Sequence, residues 1–286
     1  MSFPPVISLP VDLRNPGQYF ACCGLFELAS RQSRGALAWF TDSTFHLTDG
    51  SECSPLTPEV LIDLLKRCGI ESKLDDRDAD EFRQLNDRKP NELSVGERAR
   101  KKELVSMIRE APVLLDWGEK LTVDWFLDGA SGGSDFKTWA GQQTTLAIAR
   151  AMQAGIVAGG YATGDCRDWL SRGVVGAGLP FNFDATLGLQ SSSLDVGFSL
   201  DVLKMAQQTR PLLELASFIG LQRFRPKSIV ARKCYAYGIW QDPLPIQAAG
   251  AAASLSFPVS RCMAFRLLYR TKYLKSFLPS TPYAGS

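Results

Sequence analysis

Asp116, Asp124, Asp128 and Asp135 are the carboxylates set most closely inside apolar sequence, and paired carboxylates on one face can hold Mg²⁺ for phosphodiester cleavage. The run Leu-Thr-Val-Asp-Trp-Phe-Leu-Asp, residues 121–128, alternates as a half-buried strand does, which gives Asp124 and Asp128 one parity. No histidine or glutamate motif stands beside them. Capping a turn, or pairing with Lys120 and Lys137, therefore weighs more than a metal role, and no metal is expected. A Mg²⁺-dependent nuclease using Asp124, Asp128 and Asp135 is the alternative reading.

The segment Gly-Ala-Ser-Gly-Gly-Ser-Asp-Phe-Lys-Thr, residues 129–138, invites comparison with a phosphate loop. The spacing fails, because Ser134, Asp135 and Phe136 separate the last glycine from Lys137 and Asp135 would repel a phosphate. What survives is an amide-rich loop before a helix, with Lys137 and Thr138 as donors to a single backbone phosphate. The single histidine, His46, has no serine or cysteine in a nucleophile-like setting and reads as a packed side chain. Seven cysteines without a C-x-x-C pair argue for free thiols in a reducing compartment, not a zinc site. No catalytic residue and no cofactor is expected.

Charge is more informative. From Lys204 onward the chain carries 12 Lys and Arg against Glu214 and Asp242, a net of +10; the preceding residues hold 20 basic and 28 acidic side chains, a net of −8. A field of one sign gathered in one region favours a polyanion. The candidate phosphate contacts are Arg223, Arg225, Lys227, Arg232, Lys233, Arg266, Arg270, Lys272 and Lys275. Phe265, Tyr269, Tyr273 and Phe277 interleave with the later ones. On a strand, Phe265, Leu267 and Tyr269 face one way and Arg266, Leu268 and Arg270 the other. Tyrosines near the end can stack on unpaired bases.

These residues need positioning elements. Ile7 and Leu9 open a strand; Asn15-Pro16 caps a helix over 19–30; residues 36–40 and 43–48 read as strands closed by Asp49-Gly50. Thr57-Pro58 opens a helix that Gly69 ends. Residues 71–110 are poor in apolar side chains and read as a mobile, charged helical insertion, in which Arg98–Lys102 forms a solvated face. Helices are expected over 136–153, 199–208 and 211–219, and strands over 180–184, 229–240 and 259–271. The fold class is α+β, with mixed or antiparallel sheets, packed helices and the charged insertion. An acidic region, 1–203, precedes a basic helix-strand region, 204–286, possible as one continuous domain. With no membrane span or signal peptide expected, the reading is a cytoplasmic protein with no membrane partner.

Three stretches together resemble one family: Asn-Pro-Gly-Gln-Tyr-Phe-Ala-Cys-Cys-Gly-Leu-Phe-Glu-Leu-Ala at 15–29; Trp-Phe-Leu-Asp at 125–128 with Phe-Lys-Thr-Trp-Ala-Gly-Gln-Gln at 136–143; and Leu-Leu-Glu-Leu-Ala at 212–216 with Ile-Gly-Leu-Gln-Arg-Phe-Arg-Pro at 219–226. They are similar to compact large-subunit-like proteins of type I-U (I-G) CRISPR interference systems, and the closing Tyr-Arg-Thr-Lys-Tyr-Leu-Lys at 269–275 fits. The resemblance implies a non-catalytic, nucleic-acid-binding subunit of an RNA-guided surveillance complex. Its partners would be crRNA, target DNA, the backbone and crRNA-end subunits, and the helicase-nuclease. The competing non-nucleic-acid reading is a protein-bridging subunit. Lys137, Thr138, Trp139, Gln142 and Gln143 are then expected to order a local backbone or partner contact.

Overall fold

Asn15 and Pro16 start the helix around which the molecule is built. The Asn15 side chain accepts from the Gly17 amide at 3.1 Å, Pro16 occupies the first turn, and residues 19–29 are buried on every side. A helix apolar all round must lie at the centre of a core. The computed structural model that places it describes residues 4–49, 56–127, 137–139, 143–161, 165–188, 208–230, 233–269 and 275–284.

In chain order the first elements are β1 (Ile7–Pro10), α1 (Pro16–Gln32), β2 (Leu37–Phe40), β3 (Thr44–Thr48), α2 (Pro58–Arg67) and β4 (Gly69–Ser72). Next come α3 (Asp76–Asn86), α4 (Val95–Glu110), β5 (Val113–Asp116), β6 (Lys120–Val123), α5 (Thr145–Ala158), β7 (Val174–Val175) and the single turn α6 (Ala185–Gly188). The chain closes with β8 (Gln208–Thr209), α7 (Pro211–Gly220), β9 (Lys227–Val230), β10 (Cys234–Ile239), β11 (Leu244–Pro245), α8 (Ile246–Ala253), β12 (Arg261–Tyr269), β13 (Lys275–Phe277) and β14 (Thr281–Pro282).

The fold is α+β, and every strand pair among the described residues is antiparallel. One sheet runs β1-β3-β2-β11, a second β4-β5-β6, a third β13-β12-β10-β9 with β14 also on β12, and β7 pairs β8. The buried ridge of α1 meets α7, whose ten residues are all buried. Their backbones come close enough that a Cβ on Gly24 would overlap the Ala216 carbonyl, and one on Gly220 the Phe20 carbonyl. The inner face of the third sheet then lays Tyr237, Phe265 and Phe277 against Tyr19 and Phe20, with Tyr235 and Met263 buried on the same side. Among the described residues the main hydrophobic core draws on side chains from Ile7 to Phe277. The acidic and basic parts of the chain therefore contribute to one interior.

Of residues 71–110, the first two belong to β4, and 75–110 form a stapled helical hairpin between β4 and β5. Asp75 caps α3, and Ser94 with Glu97 makes a reciprocal capping box on α4. Leu85, Leu93 and Leu104 give the hairpin its own small core. Arg100 bridges the seam to Asp78 at 2.6 Å and Glu81 at 3.0 Å, and also takes Glu103 at 2.9 Å. The Arg98–Lys102 cluster is thus partly internal: Arg98 donates to the Leu93 carbonyl and Lys101 to that of Leu85.

Other expectations need correction. The strand expected over 121–128 ends at Val123, and Trp125–Leu127 turn as a 3-10 helix because Trp125 and Phe126 sink into the core. The Trp125 indole donates to the Phe218 carbonyl at 3.0 Å, and the Gln222 side-chain oxygen takes the Asp124 and Trp125 amides. The helix expected from 136 begins only at Thr145, capped by Thr144. Residues 180–184 are not a strand; Asn182 turns with φ 69°. The single strand expected over 229–240 is the β9–β10 hairpin. The helix expected over 199–208 lies outside the described residues except Gln208, which belongs to β8.

Candidate nucleic-acid interface

The third sheet decides where the basic side chains go. In β12, Met263, Phe265 and Leu267 are buried against the core while Arg266 is exposed, as strand alternation requires. Arg266 lies opposite Cys234, which lies opposite Val230; Lys227 lies opposite Ala236, which lies opposite Ala264. Directly opposed residues share a face, so Lys227 and Arg266 stand on one side of the sheet with half-buried Cys234 and Ala264 between them and Ala236 fully buried beneath. Strand spacing puts their Cα atoms about 12 Å apart. Lys233, in the β9–β10 turn, is exposed at the same end. No carboxylate among the described residues pairs with Lys227, Lys233 or Arg266.

The other candidates divide. Arg223 is not a free phosphate contact: its Nε lies 2.5 Å from Glu27, a carboxylate only 2% exposed in the middle of α1. Arg31 binds the same carboxylate at 2.8 Å. Burial pushes the Glu27 carboxyl up, but the hydrogen bonds and charges of Arg223 and Arg31 outweigh it and hold the group below its ordinary value. Arg225 leans towards Asp124 at 3.9 Å. Arg232, Arg270, Lys272 and Gln142 lie outside the described residues.

The Lys-Thr-Trp segment also splits. Thr138 and Trp139, expected to touch a partner, are buried. The Thr138 hydroxyl donates to the Phe181 carbonyl, its own carbonyl accepts from the Lys275 amide at 2.9 Å, and Trp139 packs among Trp125, Phe126, Phe181 and Phe218. Gln143 is half-buried just before the α5 cap. Lys137 is half-buried over the rings of Trp139 and Phe126, at 5.4 and 5.9 Å. Burial first, and then the charges of Lys275 and Arg109, lower its ammonium from the ordinary lysine value. Lys275 in turn lies 5.4 Å from the ring of Tyr269, which is 45% exposed. Tyr269 has the parity of Phe265 but emerges where the strand leaves the core. The Lys137–Lys275 corner therefore opens on the opposite face from Arg266.

The carboxylates expected to share a strand face do not. Asp124 accepts from the Gln222 amide at 2.9 Å and faces Arg225, while Asp128 and Asp135 lie outside the described residues. No group of three His, Cys, Asp or Glu among the described residues could hold a metal ion. His46 is a packed side chain: it stacks on Trp39 at 5.1 Å, its ring nitrogens meet Ser8 and Thr41 hydroxyls at 3.0 and 3.2 Å, and burial lowers its pKa.

Two buried polar clusters were not anticipated. One is Glu27 with its two arginines. In the other, Glu214 accepts the Phe183 and Asp184 amides at 3.2 Å, while Asp184 takes the Asn15 amide and Arg210, both at 2.8 Å. Burial, and then Asp184 beside it, push the Glu214 carboxyl up to about 8. The available signal was a lone acid inside each apolar run, Leu-Phe-Glu-Leu and Leu-Leu-Glu-Leu, because a buried carboxylate needs a partner or a proton.

No protein-family model, no curated protein and no solved structure matches the chain. No helix among the described residues is long and apolar enough to cross a membrane.

Proposed function

We propose that the chain is a nucleic-acid-binding subunit of a type I CRISPR RNA-guided surveillance complex, gripping sugar-phosphate backbone and leaving cleavage to a partner. The observation that carries the binding reading is the outer face of the third sheet. Lys227 and Arg266 stand exposed there, with Lys233 exposed in the adjoining turn and no carboxylate among the described residues to neutralise them. The face spans about three phosphates of a strand at roughly 3.4 Å rise. The Lys137–Lys275 corner with Tyr269 adds a second cationic patch beside an accessible ring, suited to an unpaired base. The assignment to a CRISPR complex rests on the three motif stretches and the +10 terminal region.

The test is the salt dependence of binding to labelled duplex and single-stranded probes. Each phosphate contact contributes about −0.9 to the slope of log affinity against log salt on B-DNA. Lys227→Ala with Arg266→Ala should flatten that slope by about 2, and an unchanged slope and affinity would retire the face. Crosslinking the complex to labelled crRNA and target DNA separates this reading from a protein bridge, which would take up neither label.

A further inference from the structure

A cleft of about 540 Å³ opens on a different part of the molecule, between the β1–α1 connection, the β2–β3 turn, the turn at 167–171 and the start of β12. Its floor is apolar: Val11, Leu13 and Leu170 are each at most 5% exposed. Its rim carries Arg14, Arg167 and Arg261 from separate segments. Arg14 has no ion pair among the described residues. Among the described residues Arg261 pairs only with Asp42, 3.8 Å away and 97% exposed, a pairing that solvent weakens and an anion can displace. Arg167 is already held by both oxygens of Asp165 and contributes less. Acceptors stand next to the cations: Asp12, Asp42 and Gln18.

The cleft is built in advance of any ligand. The Val11 amide donates to Ser43 at 2.9 Å and the Asp12 amide to the Gln18 side chain at 2.7 Å. The buried Tyr237 hydroxyl donates to the Leu13 carbonyl at 2.7 Å, and the Ser280 amide to the Arg14 carbonyl at 2.6 Å. Four separate segments thus fix the loop that presents Arg14, which lowers the ordering cost of binding.

We propose that this cleft binds an organic phosphate of nucleotide size. Arg14 and Arg261 take the phosphate, since guanidinium groups match its oxygens in pairs. Asp12 and Gln18 take sugar hydroxyls, and the apolar floor takes the face of a base. The volume falls within the roughly 300–1,000 Å³ of small-ligand sites and far exceeds what a bare phosphate needs. The phosphate can belong to a free nucleotide or to the phosphorylated end of a strand.

Calorimetry with AMP, with inorganic phosphate, and with an octaribonucleotide carrying either a 5′-phosphate or a 5′-hydroxyl tests it on the full chain. Binding of AMP, or a preference for the 5′-phosphate strand, identifies the source. Arg14→Ala should weaken whichever is seen at least tenfold, whereas Asp42→Asn should tighten it by freeing Arg261. Both positions are exposed, and an unchanged melting temperature verifies the fold. Absence of both signals, indifference to Arg14→Ala, or inorganic phosphate binding as tightly as AMP would overturn the proposal.

Discussion

At the scale of single residues, the arginines of the basic region do different work although their sequence surroundings look alike. Arg223 is the counter-ion of a buried glutamate, and removing it leaves Glu27 with Arg31 alone. Breaking a fully buried pair costs about 3–5 kcal/mol, but Arg223 is 38% exposed and one partner stays, so Arg223→Ala should cost about 1–2 kcal/mol in urea unfolding. Arg266→Ala, on open surface, should change stability by less than about 0.5 kcal/mol. Glu214 gives a pH effect of unusual sign. Its folded pKa of about 8 lies above the ordinary 4.5, so the folded chain holds a proton that the unfolded chain releases between these values. Stability contributed by this group is therefore full below about 4.5 and is lost as pH rises through 8. Urea midpoints at pH 5, 6.5 and 8 should fall more steeply for the wild type than for Glu214→Gln; parallel lines would mean that Glu214 is ionised in the fold.

At the scale of elements, the α1–α7 contact sets how tightly the centre closes. Gly24 and Gly220 let the two backbones touch, and an added methyl would meet carbonyl oxygens that cannot move without separating the helices. Gly24→Ala should cost more than about 3 kcal/mol or prevent soluble expression. Gly96→Ala is its counterpart: nothing lies near that position on α4, so the same change should be neutral or stabilising by up to about 1 kcal/mol. Denaturant midpoints of the two variants compare these directly. The hairpin of α3 and α4, by contrast, has a small core of its own and is tied together by Arg100.

At the scale of the whole molecule, polarity of charge and unity of core coexist. The basic terminal part supplies α7, which closes on α1, and β11, which extends the first sheet beside β2. It also supplies Tyr237, whose hydroxyl reaches back to Leu13. Splitting the chain after residue 203 should thus yield two fragments without cooperative unfolding by circular dichroism. Co-expression should restore a melting transition if the shared core is what holds them. A stable, separately folded 204–286 fragment would contradict that account.

Local physics made much of this legible from residue order. The Asn15-Pro16 cap, the hairpin of β2 and β3, the Thr57 cap and the outward side of β12 at Arg266 all follow from short-range stereochemistry and strand alternation. The net charge of the terminal region is a matter of counting. What depended on distant contacts could not be read this way. Trp125 and Trp139 prefer a shared aromatic interior to the strand and helix their neighbours suggested, and Arg223 meets a glutamate 196 positions away. Burial decided these outcomes: an apolar ring or an unpartnered carboxylate gains more from the right neighbour in space than a local pattern offers, and only the folded chain says which neighbour that is.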